Sequence, residues 1–329
     1  MGKIGRILTG HRPTGPRHIG HLVGTLETWT ALQDQYECFF LIADLHVLTT
    51  DYEHPQNIQE NILNVLADWI ASGIDPERST LILQSSIQAH SQLTTLLGML
   101  VSVARLSRVP TYKEQLQQLG LTPSLGLLAY PVLQAADILL YKADHVPVGE
   151  DQLPHLELTR EVARRFNQLY GDTFPEPQEI LSPTPRLPGT DNRTMHTSYG
   201  NAIALRDTPE VTYHKVMSMY TDPSRIHAND PGHVEGNPVF AYHDAFNPDQ
   251  EQVAEFKERY RKGTIGDVEV KRKLAEVLNE RLSPIRTRRA ELLKDRETLR
   301  DILVTGTDRA RPLAEATLAE VESKIGLRF

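Results

Sequence analysis

The first half of the chain alternates short apolar runs with longer stretches of helical periodicity. Three runs have the apolar composition of strands that are buried on both faces: Ile7–Thr9, Phe39–Ala43 and Leu81–Leu83. Apolar residues recur at helical spacing in three longer stretches: about 18–32, 58–70 and 93–104. Because strands alternate with helices, we predict an α/β fold with an open, doubly wound parallel sheet and right-handed crossovers.

The next part of the chain continues this alternation with two interruptions. Residues 110–123 are polar and lack periodicity, which predicts a long loop that is mobile or faces a ligand. A helix over about 124–140, a strand over 145–148 and a helix over about 152–170 are predicted to follow. The segment 175–188 is rich in proline, and we interpret it as a domain boundary or a rigid connector.

Strand patterns fade after about residue 205, and helical spacing dominates. Val270–Leu282 has the periodicity of a helix, and Ser283-Pro284 predicts the N-cap and first turn of a new helix. The apolar positions of Leu313–Ile325, followed by Gly326, predict a terminal amphipathic helix. The second part of the chain is therefore predicted to form a smaller, all-helical domain.

The composition is that of a globular protein. The chain has 329 residues, with 40% hydrophobic and 24% charged side chains, which favours one large domain and a smaller one. No apolar run approaches the ~20 residues of a bilayer span, and the first residues lack the apolar stretch of a signal peptide. Cys38 is the single cysteine, which excludes an intramolecular disulfide and a four-thiolate cluster. We expect a cytoplasmic protein with no membrane partner.

Charge is distributed unevenly along the chain. The net charge of −8 argues against non-specific coating of nucleic acid. Residues 251–329 nevertheless carry 18 Lys and Arg against 15 Asp and Glu, while the rest of the chain carries 17 against 28. Such a basic excess is typical of a solvated helical surface, and it also suits local contact with a nucleic acid.

The segment Thr9–His21 lies where the first predicted strand gives way to the first helix. In open α/β sheets ligands bind at this carboxyl edge, and helix N-termini favour phosphates. His18 and His21 are three residues apart, so both can donate hydrogen bonds to phosphate oxygens. Both could instead be plain surface residues of a first helical turn. The Pro13-Thr14-Gly15 turn at this strand end favours the phosphate site.

A polar stripe marks the helix predicted over about 124–140. Tyr130, Gln134 and Asp137 fall at positions i, i+4 and i+7, so their side chains share one face. The residues that flank the stripe are apolar. We therefore predict that it lines a binding pocket rather than a solvated surface.

Thr9–His21 resembles the first signature of the class I aminoacyl-tRNA synthetases, which reads His-Ile-Gly-His after a Pro-Ser/Thr-Gly turn. Six further segments are similar to those of bacterial tryptophanyl-tRNA synthetases: Asp44–His46, Gly73–Pro76, Tyr130–Leu139, Val146–Gln152, Gly200–Ile203 and Tyr220–Pro223. The resemblance covers nearly the whole chain. It implies a Rossmann-like catalytic domain that activates L-tryptophan with ATP and transfers it to tRNA(Trp).

The resemblance also implies roles for individual residues. Catalytic roles fall on His18, His21, Lys113 and Ser198, with the histidines stabilising the triphosphate as the amino-acid carboxylate attacks the α-phosphorus. ATP would contact Arg12, Pro13, Thr14, Gly20, His21, Gly149, Glu150, Asp151, Leu187, Thr194, Met195, His196, Thr197 and Ser198. Tryptophan would contact His46, Tyr130, Gln134, Asp137 and Gln152. Asp137 would accept the indole N–H, and magnesium would arrive with ATP rather than in a protein metal site.

The second class I signature is degenerate in this chain. Relatives carry Lys-Met-Ser-Lys-Ser where this chain has Thr194-Met195-His196-Thr197-Ser198. Both lysines that neutralise the leaving pyrophosphate are therefore absent, and losing such a transition-state group costs roughly 10²–10³ in rate. Four remaining cations are candidates to supply the charge: Arg12, Arg17, Lys113 and Arg193.

These departures leave alternatives open. We adopt a slower but working tryptophan–tRNA ligase, because the first signature, the tryptophan pocket and the Gly149–Asp151 ribose segment are intact. The main alternative is a paralogue that binds tryptophan and ATP without efficient aminoacylation, as a sensor or auxiliary protein. Gln134 stands where bacterial relatives usually have Met, which leaves tyrosine as a second candidate substrate. A simple adenylyltransferase is disfavoured, because such enzymes are usually much shorter.

The family organisation divides the chain into four parts. These are an ATP- and tryptophan-binding domain over 1–190, the degenerate signature loop over 191–205, a helical anticodon-binding domain over 206–311, and a C-terminal helix over 312–329 that packs back on the catalytic domain. Members of the family are homodimers. Five basic residues are either tRNA phosphate contacts or exposed helix charges: Arg281, Arg286, Arg288, Arg289 and Lys294.

Overall fold

The chain folds into two compact units. The computed structural model describes residues 2–119, 122–182, 186–195, 197–227 and 229–328. One unit, which we call the sheet unit, comprises Met1–Thr14, Thr28–Ser182 and Asp295–Phe329. The other, the helical unit, comprises Gly15–Glu27 and Pro183–Lys294. Both units are discontinuous in sequence, unlike the contiguous parts predicted with bounds at 190, 205 and 311.

The sheet unit contains a five-stranded parallel sheet in the order β3-β2-β1-β4-β5. Its strands are β1 Arg6–His11, β2 Glu37–Ile42, β3 Ser79–Leu83, β4 His145–Val148 and β5 Gln178–Leu181. This order is that of a doubly wound, Rossmann-like sheet, so the predicted fold class is confirmed. The strand order reverses between β1 and β4, and open sheets of this kind bind ligands beside that reversal.

Strand β5 lies inside the segment 175–188, which was expected to be a boundary or a rigid connector. That expectation was wrong for Gln178–Leu181. The strand lies at the edge of the sheet, and three of its four residues are exposed. It therefore lacks the apolar run by which a strand buried on both faces is recognised.

Helices account for most of the remaining described residues. In chain order they are α1 Ile19–His21, α2 Glu27–Leu32, α3 Asp44–Asp51, α4 Ile58–Ala71, α5 Ala89–Gly98, α6 Val103–Leu106, α7 Pro110–Leu119, α8 Leu125–Leu140, α9 Leu153–Tyr170, α10 Pro209–Met217, α11 Pro238–Phe246, α12 Gln250–Arg261, α13 Asp267–Lys294 and α14 Arg296–Lys324. A π-helical turn, Leu22–Leu26, separates α1 from α2. The helix predicted over 93–104 is in fact divided between α5 and α6.

Helix α7 replaces most of the loop that was predicted over 110–123. It spans Pro110–Leu119 and begins with a proline, which needs no N–H partner in the first turn. Tyr112 is buried. Most residues of this helix are polar, so the sequence lacks the repeated apolar positions by which a helix is recognised.

Two long helices continue through prolines at which helix boundaries were predicted. Helix α13 contains Pro284, so no new helix begins there, and α14 contains Pro312 and starts at Arg296 rather than near Leu313. Pro284 lies on the exposed face of α13, between the buried Leu282 and Ile285. The proline has no N–H to donate to the carbonyl four residues earlier, and on this exposed face water can donate to that carbonyl instead. The apolar face of the helix stays packed. Among the described residues, no helix is both long and apolar enough to cross a membrane.

The core of the sheet unit contains a group of aromatic side chains, and the terminal helix packs on the sheet. Trp29 stacks on Phe40 of β2 with ring centroids 5.2 Å apart, and Trp69 meets Trp29 edge-on at 5.6 Å. Helix α14 packs on β3, where a β-carbon at Gly306 would overlap the carbonyl oxygen of Leu81. The glycine therefore allows helix and strand to approach within backbone contact.

Candidate functional site

The sheet unit holds a buried carboxylate surrounded by hydrogen-bond donors. Asp137 lies on α8 with 3% of its surface exposed. Its Oδ2 lies 3.0 Å from Nε2 of His46, and its Oδ1 lies 2.6 Å from Nδ1 of His90. Gln84 donates from Nε2 to both carboxylate oxygens, at 2.9 and 2.8 Å. The carboxylate is thus held in one orientation by three side chains.

These contacts keep Asp137 ionised. Burial alone would raise the pKa of Asp137, but hydrogen bonds and positive charge from His46 and His90 outweigh burial and lower it. Nε2 of His90 lies 2.9 Å from the hydroxyl of Tyr141, whose pKa is raised by burial and by the charge of Asp137. An ionised, oriented carboxylate is an acceptor for a group that can only donate, such as an indole N–H.

Sequence reasoning found His46 and Asp137 but missed three members of this network, namely Gln84, His90 and Tyr141. The position of Gln84 carried a usable signal, because it directly follows β3 at the carboxyl edge of the sheet. His90 and Tyr141 carry no such signal, since they are buried residues of α5 and of the C-terminal end of α8.

A second polar group lies around Tyr130 on the same helix. The Tyr130 hydroxyl is 2.5 Å from Oγ1 of Thr111 and 2.8 Å from Nε2 of His155, and these two atoms are 2.9 Å apart. Burial raises the pKa of Tyr130 and lowers the pKa of His155 to about 4, with the His46 charge adding to the second shift. His155 is therefore neutral at pH 7. Thr111 lies in the segment that the sequence predicts to be a loop, so its pattern gave no sign of this contact.

The remaining predicted residues of the sheet unit are more exposed. Gln134 is half-buried on α8 between Tyr130 and Asp137. Gly149, Glu150 and Asp151 directly follow β4 at the carboxyl edge, and Gln152 donates to Asp151 over 3.0 Å.

The other predicted residues of the sheet unit are two cations and two residues of the Pro13–Gly15 turn. Arg12 donates to the hydroxyl of Thr50, and burial lowers the pKa of its guanidinium. Pro13 is buried, whereas Thr14 and Lys113 are exposed.

The His18–His21 part of the first signature lies in the helical unit, where its two histidines are in contact. His18 is the N-cap of α1 and His21 its last residue, with ring centroids 3.8 Å apart. The backbone N–H of His18 donates to Nδ1 of His21 over 3.3 Å. Backbone pairing anchors the segment, because Ile19 donates to Ile203 over 3.0 Å and His18 forms an antiparallel bridge with Ala204.

The degenerate second signature meets the first at Gly20. A β-carbon at Gly20 would lie 2.9 Å from Sδ of Met195 and 3.1 Å from Nδ1 of His18. Met195 is buried, as is Leu187, whereas Thr194 and Thr197 are exposed. His196 and the side chain of Ser198 lie outside the described residues.

Two of the candidate cations in the helical unit are already engaged. Arg17 is 4% exposed and donates to the carbonyl of Gly15 over 2.8 Å. Arg193 forms an ion pair with Asp191 at 2.6 Å and lies over the ring of Tyr199. Burial would raise the pKa of Asp191, but hydrogen bonds from Asn201 and Arg193 outweigh it and lower that pKa to about 2.

Several basic residues of α13 take part in contacts within the protein. Arg281 pairs with Glu27 at 2.7 Å, and Arg288 lies 3.6 Å from Glu291. Arg286 donates to Thr212 over 2.7 Å and to Asn279 over 2.8 Å. Arg286 is therefore a structural residue of the α10–α13 packing as well as a candidate nucleic-acid contact.

Comparisons with known proteins point to one family. Residues 3–283 match the model of the family described as tRNA synthetases class I (W and Y). The tryptophan–tRNA ligases of Treponema pallidum (strain Nichols) and Chlamydia caviae are 50% and 49% identical to the chain, cover 98% and 99% of it, and are themselves covered to 97% each. The structure of tryptophanyl-tRNA synthetase from Campylobacter jejuni complexed with ADP and tryptophan superposes with a TM-score of 0.87 at 32% identity, covering 98% of this chain and 100% of that one.

Proposed function

Because the chain belongs to the class I tRNA synthetases for tryptophan and tyrosine, we propose that it ligates L-tryptophan to its tRNA with the use of ATP. The choice of tryptophan rests on sequence identity: about half of the residues are identical to those of tryptophan–tRNA ligases over nearly the full chain. The buried, ionised Asp137 supports it, since an indole N–H is a donor that needs such an acceptor.

The proposed reaction has two steps. A carboxylate oxygen of tryptophan forms a bond to the α-phosphorus of ATP, and the bond from that phosphorus to the bridging oxygen breaks, with its electron pair leaving on pyrophosphate. A ribose hydroxyl of the tRNA then attacks the aminoacyl carbonyl carbon and displaces AMP. Neither step needs a covalent enzyme intermediate, so the protein contributes position and charge stabilisation.

The sheet unit supplies the proposed amino-acid site. Asp137 accepts the indole N–H, His46 lines the same pocket, and Tyr130 and Gln152 hold the α-amino group. Gln134 lies on the same face of α8, between Tyr130 and Asp137. The network of Gln84, His90 and Tyr141 supports this assignment, because it holds the acceptor rigid and charged before the substrate arrives.

The residues proposed to contact ATP are those that the resemblance assigns to it: Arg12, Pro13, Thr14, Gly20, His21, Gly149, Glu150, Asp151, Leu187, Thr194, Met195, His196, Thr197 and Ser198. His18 and His21 are proposed to donate to the phosphates, with Lys113 and Ser198 as further catalytic groups. ATP is proposed to enter as its magnesium complex.

The assembly and location of the protein are also proposals. We propose a homodimer in the cytoplasm, with tRNA held in part by Arg281, Arg288, Arg289 and Lys294. The alternative of a binding protein without efficient aminoacylation is not favoured, because full-length relatives are ligases by name.

The decisive experiment is tryptophan-dependent exchange between ATP and labelled pyrophosphate, run beside tRNA charging with tyrosine as a matched substrate. We expect activity with tryptophan in both assays. Tryptophan binding without exchange at high enzyme concentration would contradict the ligase and favour the auxiliary protein. A signal with tyrosine alone would contradict the role given to Asp137.

A further inference from the structure

A small basic cavity lies beside the first signature within the helical unit. It has a volume of about 140 Å³, and its lining includes His18, Thr197, Arg206, Asp207 and Lys215. The antiparallel bridge between His18 and Ala204 forms one wall of the cavity, and Arg206 follows Ala204 by two residues. The cavity is therefore lined both by His18 of the first signature and by Thr197 of the degenerate second signature.

The two cations of this cavity differ in how they are paired. Nζ of Lys215 lies 2.7 Å from Oδ2 of Asp207 and 2.8 Å from the carbonyl oxygen of Ala202, so its charge is matched by a carboxylate. Arg206 is exposed and has no hydrogen-bond or ion-pair partner among the described residues. The cavity thus carries one uncompensated positive charge, on a side chain that binds phosphates through two parallel N–H bonds.

Two of the cations that were candidates to replace the missing lysines, Arg17 and Arg193, already have partners in the structure. Within the helical unit, Arg17 is buried against its own backbone and Arg193 is neutralised by Asp191. A guanidinium that is already paired has to break that pair before it can stabilise another anion. Arg206 has no such pair to break within the described part of the chain.

We propose that Arg206 supplies the positive charge that Thr194 and Thr197 lack, and that this cavity holds the leaving pyrophosphate. The inference rests on the proposed adenylate-forming function. When the bond from the α-phosphorus to the bridging oxygen breaks, its electron pair adds negative charge to pyrophosphate. Arg206 neutralises that charge through its N–H donors, and His18 borders the same space.

Pyrophosphate exchange with matched variants tests the assignment. Arg206→Ala is expected to lower the tryptophan-dependent exchange rate by roughly 10- to 100-fold and to raise the KM for pyrophosphate, while the KM for tryptophan stays unchanged. Arg206→Lys should keep most of the activity. Thr197→Lys in the Arg206→Ala background should restore exchange, because position 197 lines the same cavity. Arg261→Ala, which removes an exposed arginine paired with Glu235, serves as the control.

Direct binding separates this inference from the proposed function. Calorimetric titration with inorganic pyrophosphate is expected to show binding to the wild type and binding at least tenfold weaker to Arg206→Ala. If the wild type fails in exchange yet shows this difference in binding, the ligase is wrong and the cavity assignment stands. If Arg206→Ala matches Arg261→Ala in both exchange and binding, or if the wild type binds no pyrophosphate, the assignment is overturned.

Discussion

Gly20 of the first signature lies against Met195 of the second, so closely that a β-carbon at position 20 would stand 2.9 Å from the methionine sulfur. The second signature has lost both lysines, yet its methionine is buried at the first signature. The second signature therefore still packs against the first through Met195, but it lacks the positive charge of the two lysines.

Gly20→Ala is expected to reduce exchange activity by about tenfold or more. The added methyl group must displace Met195 or the ring of His18, and misplacement of a phosphate-binding group by about 1 Å is enough to cost 10²-fold. Gly24→Ala is the matched control, because a β-carbon there meets nothing within 4 Å. Equal activity of the two variants would show that the contact at Gly20 does not position His18.

Asp137→Asn is expected to raise the KM for tryptophan by at least about tenfold and to leave the KM for ATP unchanged. The substitution removes a charged acceptor and places an amide N–H₂ against donors from Gln84, His46 or His90. A hydrogen bond to a charged group contributes about 1.5–3 kcal/mol. Steady-state kinetics with Asp244→Asn, at an exposed ion pair, provide the comparison. An unchanged KM for tryptophan would remove Asp137 from the amino-acid site.

Stability is expected to rise with pH between about 4 and 6.5 because of His155. Its pKa is about 4 in the folded protein and 6.5 in a free histidine, so the unfolded chain binds more protons throughout this window. Folding therefore loses stability as the pH falls below 6.5, by up to about 3 kcal/mol at pH 4. Denaturant unfolding of the wild type and of His155→Gln measures the effect. Parallel stability curves for the two proteins would contradict a neutral, buried His155.

Thr194→Lys combined with Thr197→Lys is expected to raise the exchange rate several-fold in the wild-type background. The variant restores two charges where negative charge develops on the leaving group. Ser283→Lys combined with Thr287→Lys, at two exposed positions of α13, controls for the same change in net charge. No increase would mean that existing cations already neutralise pyrophosphate fully.

Gly306→Ala is expected to lower the free energy of unfolding by about 1–3 kcal/mol or more. The methyl group would overlap backbone atoms of Leu81, so α14 has to move away from β3. Gly98→Ala, where a β-carbon meets nothing within 4 Å, should be neutral or slightly stabilising. Thermal unfolding of both variants decides whether the terminal helix is held by this close approach.

Local patterns were sufficient for four of the five strands and for α8. Each of those strands contains a short apolar run, and the helix repeats apolar side chains after a serine N-cap. These signals arise within a few neighbouring residues, so they can be read without knowing the fold. Asp137 and the histidines of the first signature were also singled out by their spacing along one segment, and their roles stay predictions.

The remaining features depend on what each segment packs against. The edge strand β5, the polar helix α7 and the continuation of α13 through Pro284 are stabilised by neighbours distant in sequence, and their own composition argued against them. Gln84 and His90 lie 53 and 47 residues before Asp137 in the sequence, and they reach it only because the end of β3, α5 and α8 converge. Arg206 became a candidate because Arg193 pairs with Asp191 and Arg17 donates to its own backbone. Only the folded structure shows which side chains lie close enough to pair.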